Sequence, residues 1–332
     1  MNKKIIIAVD GMGGDYAPTE IVKGCVQALQ DFPLKLLIVG HPEVLKKELS
    51  KYTFNEEQLK VIPAYETITN EDSPVAAIRS KKDSSMVIGL RLLKEKKVDA
   101  FISAGNTGAL LAGGTFLVGR IPKVQRPALA PLIPHKNGFS LLIDCGANVD
   151  AKPSYLAQFA YMGSIYMENI LNIPNPKIGL VNIGVEKEKG NEVTKAAYQL
   201  LEDSPLNFIG NVEARDISYG VADVIVCDAF IGNIILKYTE GFGQSLFDIL
   251  KEELLKTPLS KIGAFMLKSS FKNIKKRFDY TEYGGAPLLG LQGLVVKAHG
   301  SSNHKAIYSA IKQCIRFTEQ DIVSKIQNSI IE

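Results

Sequence analysis

The sequence is poor in the residues that mark metal, disulfide or membrane-spanning chemistry. Its 332 residues hold four cysteines, Cys25, Cys145, Cys227 and Cys314, far apart and with no CxxC pair. That spacing argues against a disulfide framework and against a cysteine zinc site, and it fits a reducing cytosol. The four histidines do not cluster, so no histidine-rich metal site is expected. The longest uncharged apolar-leaning run, GALLAGGTFLVG (108–119), is too short and too rich in glycine to cross a bilayer. The start, MNKKIIIAVD, resembles a secretory signal for a few residues until Asp10 interrupts it. A net charge of +4 is too small to point to nucleic acid. What remains is an ordinary soluble composition, long enough for one large α/β unit or two intertwined subdomains.

Short apolar runs alternate with helical stretches along the chain. Strands are expected at KIIIAVD (4–10), LKLLIVG (34–40), QLKVIPA (58–64), DAFISAG (99–105), ALAPLIP (128–134) and SLLIDCG (140–146). More follow at KIGLVNIG (177–184), LNFIGNV (206–212), DVIVCDAF (223–230) and GLVVKAHG (293–300). These runs are almost wholly apolar rather than alternating, as for strands covered by helices on both faces. The strand–helix order predicts a three-layer α/β/α fold on a mixed, mostly parallel sheet. VQRPALAPLIPHKNG (124–138) is the best candidate for a crossing between two subdomains. One would take 1–123 and 290–332, the other 124–289.

Ligands of open α/β sheets bind beyond the carboxyl ends of the strands, so the residues after each strand carry the functional reading. AVDGMGGDYAP supplies Asp10, Gly11, Gly13 and Gly14. It is not a dinucleotide fingerprint, because the third glycine would fall on Tyr16, and no Walker lysine follows any glycine loop. A tight turn needing positive φ is the competing reading of these glycines. SAGNTGA supplies Gly105, Asn106, Thr107 and Gly108, either as a nest of backbone N–H groups for a small anion or as a plain helix cap. VNIGVEKEKGN brings Lys187 and Lys189 to a strand end, suited to a phosphate-bearing ligand or to a solvated loop. Asp144, Asn148, Asn211, Asp228 and Asn233 also follow strands. The carboxylates there orient loop N–H groups, hold Mg²⁺ or simply cap helices. His299, in a small-residue loop, is the best general acid or oxyanion donor, although a lone histidine is more often structural. Cys145 and Cys227 have no adjacent base or cation in sequence and read as buried thiols.

One stretch differs from the rest. KTPLSKIGAFMLKSSFKNIKKR (256–277) carries seven basic residues and no acid. Its apolar residues recur at helical spacing, and Ser269–Ser270 offers a break between two short helices. A basic amphipathic hairpin (256–278) with Phe265, Met266 and Leu267 at its tip reads as a membrane-surface anchor. Leu259, Ile262, Lys268 and Lys272 complete the anchoring surface. A dimer interface, or a site for an acidic protein, is the alternative.

Taken in order, AVDGMGGDYAP, SAGNTGALLAGG, IDCGAN, VNIGVEKEKGN, GNVEARD, CDAFIGN and YTEYGGAPLLGLQG resemble the bacterial phosphate acyltransferase family over essentially the whole chain. The resemblance implies a fold similar to isocitrate and isopropylmalate dehydrogenases and to phosphotransacetylase, usually as a homodimer. It implies transfer of a fatty acyl group from acyl carrier protein to inorganic phosphate, at the inner membrane surface, at the entry to phospholipid synthesis. No cofactor, metal or nucleic acid is implied. Phosphate is largely ionised near neutral pH and a thiolate leaves readily, so the site need only hold an anion, align it and stabilise an oxyanion. The expected cradle is therefore amide-lined and nearly free of fixed positive charge. Asn106, Thr107 and their glycines form the phosphate nest, with potential from Lys187 and Lys189. Asn233 and His299 contact the oxyanion or leaving group, Asn148 and Asn211 line the cleft, and Asp10 and Asp15 organise loops. The rival readings are the same chemistry on acyl-CoA, a metal-dependent decarboxylating dehydrogenase using Asp10, Asp144 or Asp228, and a membrane scaffold without catalysis.

Overall fold

The computed structural model describes residues 4–278 and 284–331, so residues 280–283 of the YTEYGGAPLLGLQG motif lie outside the described residues. Two sheets form its centre. The seven-stranded sheet takes β1 (Ile6–Asp10), β2 (Lys35–Gly40), β3 (Leu59–Pro63), β4 (Ala100–Ser103), β5 (Ala128–Leu129), β11 (Ala286–Leu289) and β12 (Leu294–Lys297), in the order β3-β2-β1-β4-β12-β11-β5. The five-stranded sheet takes β6 (Leu132–His135), β7 (Gly138–Ile143), β8 (Ile178–Asn182), β9 (Phe208–Glu213) and β10 (Val224–Val226), in the order β6-β7-β10-β8-β9. Pairing is parallel except where β11 meets β12 and β5, and where β6 meets β7.

Two differences from the sequence reading have local causes. The run 128–134 forms two short strands, because Ala130 and Pro131 separate a half that pairs with β11 from a half that pairs with β7. Proline gives no N–H to a ladder, which suits it to such a break. The chain crosses there from one sheet to the other. The second difference is β11, four residues with Pro287 inside, which the apolar pattern did not reveal.

The helices are α1 (Thr19–Asp31), α2 (Pro42–Leu49), α3 (Pro74–Ser80), α4 (Ser85–Lys94), α5 (Thr107–Gly113), α6 (Pro153–Ile170), α7 (Glu192–Glu202), α8 (Ala214–Ile217), α9 (Ala229–Leu254), α10 (Pro258–Met266), α11 (Lys268–Phe278), α12 (His304–Glu319) and α13 (Ile322–Ile331). Several starts are fixed by side chains that accept an N–H of the first turn, among them Ser84, Asn106, Asn191, Asp228 and Thr257. Proline opens α2, α3, α6 and α10, where its missing N–H is not needed.

The central strands are buried on both faces, as their composition requires, and the edge strands β3, β6 and β9 only in part. Ile7, Val9, Ile38 and Ile102 pack toward α1 and α12, whereas Ala8, Phe101 and Val295 pack toward α4. In the second sheet Leu141, Ile143 and Val224 meet Phe159 and Met162 of α6. After α12 the chain returns to this layer, and Lys325 of α13 donates to Asn169 Oδ1 of α6 at 2.7 Å. This arrangement gathers the carboxyl ends of β4, β12 and β7 around one opening, which α9 borders.

Candidate active site

The opening is a cleft of about 280 Å³. Thr107 and Gly108 approach it from the loop after β4, Lys297 and His299 from the end of β12, and Cys145 and Gly146 from the end of β7. Asn233, Lys237 and Glu240 face it from α9, while Leu129, Leu132 and Leu236 supply apolar wall.

The first loop is organised rather than poised. Asp10 is buried. Its Oδ1 accepts the N–H groups of Met12 and Gly13, each at 3.1 Å, and its Oδ2 accepts the Ser103 hydroxyl at 2.7 Å. Ser103 Oγ in turn accepts the Gly105 N–H at 3.0 Å. The Gly105 N–H is therefore occupied and adds nothing to an anion nest. Among the glycines of this loop only Gly14 has positive φ, at 105°. Gly13 is needed for close approach, since a Cβ there would lie 2.5 Å from Asp10 Oδ2. A Cβ at Gly11 would meet Ile38 at 2.7 Å. The tight-turn reading thus holds for Gly14 and gives way to packing at the other two.

The remaining strand-end carboxylates are likewise committed to backbone. Asp144 is fully buried and accepts Leu129 N–H at 2.9 Å, Ala147 N–H at 3.3 Å, Asn148 N–H at 2.9 Å and Asn148 Nδ2 at 2.7 Å. Burial pushes its pKa up to about 6 against these donors, which favour the carboxylate. Asn148 also donates to Pro127 O at 2.8 Å, so it ties the end of β7 to the crossing segment and does not line the cleft. Asp228 caps α9 through Ile231 N–H at 2.9 Å. Asp10 and Asp144 thus give both carboxylate oxygens to the protein's own donors and Asp228 gives one, which weighs against the dehydrogenase reading's Mg²⁺ ligands. Among the described residues, no group of three acidic, histidine or cysteine side chains is placed to hold a metal ion.

The cleft itself holds more charge than an amide cradle. Lys297 is buried, and its Nζ donates to Ala104 O at 3.3 Å and to Ala298 O. Its pKa falls to about 8, through burial first and then the Lys237 charge, while Asp10 and Asp15 oppose the fall. Lys237 Nζ lies 2.8 Å from Glu240 Oε2 and 3.2 Å from His299 Nε2. His299 Nδ1 lies 2.8 Å from Ser301 Oγ, which fixes the ring from its other side. Burial lowers the His299 pKa, Glu240 raises it, and the two lysines lower it again, so the imidazole is neutral near pH 7. Lys237 and Glu240 are absent from the sequence reading, and Lys297 enters it only as the end of a strand, with no role. The available signals were a lysine ending the apolar strand GLVVK, and a Lys–Glu pair at i, i+3 on the helix that follows CDAFIGN.

The structure does not bring every expected residue here. Lys187 pairs with Glu202 of α7 and lies 5.3 Å over the Tyr198 ring, on the exposed side of the second sheet. Lys189 is exposed in the same loop. Asn211 is buried and donates to Glu186 O at 2.8 Å, so it supports that loop rather than the cleft. Asn106 caps α5 by accepting Ala109 N–H at 2.9 Å and donates to Thr69 O at 3.1 Å, leaving Thr107 and Gly108 as the members of that motif on the cleft wall. Cys145 and Cys227 are buried, with thiol pKa values pushed up by burial first and then by neighbouring charge. Both thiols donate to carbonyls, Cys145 to Leu142 O at 3.7 Å and Cys227 to Asp144 O at 3.6 Å.

α10 and α11 occupy the expected hairpin segment, with the break between them at Leu267 rather than at Ser269–Ser270. Thr257 and Ser260 make a capping box at its start. Leu259, Phe265 and Met266 are each more than three-quarters exposed. Ile262, Leu267, Lys268 and Lys272 are exposed as well. α9 presents a second apolar stripe, Phe230, Ile234, Tyr238, Phe242 and Leu246, at i, i+4 spacing on its outer face. Among the described residues no helix is long and apolar enough to cross a membrane.

A family model described as a fatty acid synthesis protein matches residues 5–325. A phosphate acyltransferase of Clostridium tetani is 56% identical over 326 residues, covering 98% of each chain. One of Alkaliphilus oremlandii is 54% identical over 324 residues, covering 98% of this chain and 97% of its own. Among solved structures, a phosphotransacetylase from Streptococcus pyogenes has a TM-score of 0.66 at 17% identity, over 96% of this chain and 95% of that one. A branched-chain phosphotransacylase from Enterococcus faecalis V583 gives 0.59 at 13%, over 95% and 99%. The structural likeness establishes a shared three-layer α/β fold, and the sequence matches establish more: this chain belongs to the phosphate acyltransferase family.

Proposed function

We propose that this chain transfers a fatty acyl group from the thioester of an acyl carrier protein to inorganic phosphate. A phosphate oxygen attacks the thioester carbonyl, the carbon–sulfur bond breaks, and the carrier leaves as a thiolate that takes a proton from solvent. The products are an acyl phosphate and the free carrier thiol. The observation that carries this reading is a cleft at the strand carboxyl ends where Lys297 and Lys237 face an apolar wall. An anion and an acyl carbonyl can meet there.

Lys297 and Lys237 attract the phosphate, and the Thr107–Gly108 segment borders it at the start of α5. Glu240 beside Lys237, and Asp10 and Asp15 near Lys297, temper the positive potential, so the acyl phosphate is not held too tightly to leave. With Lys237 drawn to the phosphate, neutral His299, whose Nδ1 accepts the Ser301 N–H, donates its Nε2–H to the tetrahedral oxyanion beside Asn233. The cysteines take no part, since each is buried and protonated.

The outer face of α9 suits pairing with a second copy of this chain, which would bury its apolar stripe. The hairpin beyond it is basic with an exposed apolar tip, as for a helix lying on an anionic membrane surface. Each Lys or Arg there adds about 1 kcal/mol near such a surface. This surface supports a position on the cytoplasmic face of the membrane, where an acidic carrier would deliver the chain and an apolar product would depart. The test is a turnover assay with purified protein, palmitoyl thioesters of acyl carrier protein or coenzyme A at matched concentration, and phosphate omitted in turn. Phosphate-dependent acyl phosphate formation, faster from the carrier protein, is expected. Turnover from coenzyme A alone would overturn the carrier assignment.

A further inference from the structure

The cleft is small for its substrate. At about 280 Å³ it sits at the lower end of small-molecule sites, which run from roughly 300 to 1,000 Å³. It must seat phosphate and the thioester, which leaves little room for a long hydrocarbon. A second crevice of about 970 Å³ lies between the segments leading into β1 and β2, the edge strand β6, and helices α6 and α12. Phe32, Leu34, Tyr166, Ile170, Leu171 and Ile315 give it an apolar floor.

Two residues lie between these spaces. Leu132 lines both. Gln313 lines the crevice, accepts the N–H of the cleft residue Gly285 at 3.2 Å, and donates to Tyr166 OH at 3.3 Å. Resting on the acyl-transfer reading, we infer that the acyl chain passes Leu132 and Gln313 and lies in this crevice between α6 and α12. The charged residues at its border, Lys4, Lys312, Arg316 and Glu319, bear both signs. Long basic side chains of this kind pack their stems on apolar surface and keep their heads in water. Such a border accepts a neutral chain below while the mouth stays solvated. Each methylene moved from water into the crevice raises affinity about fourfold. A chain reaching only the cleft gains nothing beyond its first few carbons.

The inference predicts how the enzyme ranks chain lengths. The measurement is the ratio of kcat/KM for palmitoyl- over butyryl-acyl carrier protein, with phosphate saturating. Ile315 and Leu171 are half-buried on the crevice wall, and Ile315→Trp or Leu171→Trp fills it. Either variant should lower the ratio at least tenfold. An unchanged ratio in both variants, each with a wild-type melting curve, would overturn the inference. A second test uses the unaltered enzyme and a palmitoyl thioester of the carrier bearing a diazirine near its methyl end. Adducts on α6 or α12 are expected, and adducts confined to the outer face of α9 or to α10–α11 would overturn it. If neither thioester reacts with phosphate, the acyl-transfer reading itself fails, an outcome separate from active enzyme labelled elsewhere.

Discussion

Replacing Lys297 by methionine removes a cation from the cleft and a buried charge from the end of β12. Its side chain is buried and its pKa falls from an ordinary 10.5 to about 8. That fall corresponds to a burden on the folded state of roughly 3 kcal/mol. The sign follows from the proton: the charged form is the one disfavoured on folding. The burden is therefore full below about pH 8 and fades as pH rises toward 10.5. Methionine has similar length and no charge, so Lys297→Met should keep or raise stability at pH 7, by up to ~3 kcal/mol less the lysine's carbonyl hydrogen bonds. Phosphate binding moves the other way. A unit charge about 4 Å from an anion is worth about 4 kcal/mol at an effective dielectric near 20. With Lys237 still present, a rise in the phosphate KM of about 10²-fold is expected, or roughly 2.7 kcal/mol. The wild-type phosphate KM should rise as pH passes about 8 and Lys297 loses its proton, and the variant should lack this limb. Initial rates against phosphate concentration from pH 6.5 to 9.5, with thermal melts of both proteins, decide the matter. A variant with the wild-type phosphate KM and an intact alkaline limb would refute the assignment.

The other expectations concern residues already placed. His299→Ala and Asn233→Ala should each lower kcat at least tenfold, as expected for loss of an oxyanion donor, with melting temperatures unchanged, whereas Lys187→Ala should leave kcat/KM within about twofold because an exposed pair like Lys187–Glu202 contributes little. Asp144→Ala strands the buried Leu129 N–H and three further donors and should destabilise by about 3–5 kcal/mol in urea unfolding. Phe265→Glu and Leu267→Glu should abolish flotation with anionic vesicles, and undiminished attachment of both would exclude the hairpin tip as the anchor.

The layered fold was legible because its strands are short apolar runs ending in glycine, asparagine or aspartate, a pattern that helices on both faces impose. β11 was not, since four residues with an internal proline carry no periodic signal. The break at Ala130–Pro131 depends on which neighbour each half meets, which no local pattern records. At the cleft, Thr107, Gly108, Asn233 and His299 were readable from their places after strands. Lys297 was not, because a lysine closing an apolar strand looks like its solvated end, whereas here it folds under the loop after β4. Lys237 and Glu240 resemble an ordinary surface pair until α9 is laid against the end of β12. The opposite error at Lys187 has the same origin: its partner Glu202 is 15 residues away, and only the packing of α7 brings them together. The strand-end aspartates were read more broadly than the fold uses them, since Asp10, Asp144 and Asp228 accept backbone N–H groups in three different ways.

The account rests on direct displacement of sulfur by phosphate. Its most direct measurement is intact-protein mass spectrometry alongside thiol release, after the enzyme is mixed with palmitoyl-acyl carrier protein in phosphate-free buffer. The account predicts unmodified protein and no released thiol until phosphate is added. An acylated enzyme, with one equivalent of thiol freed before phosphate arrives, would contradict it.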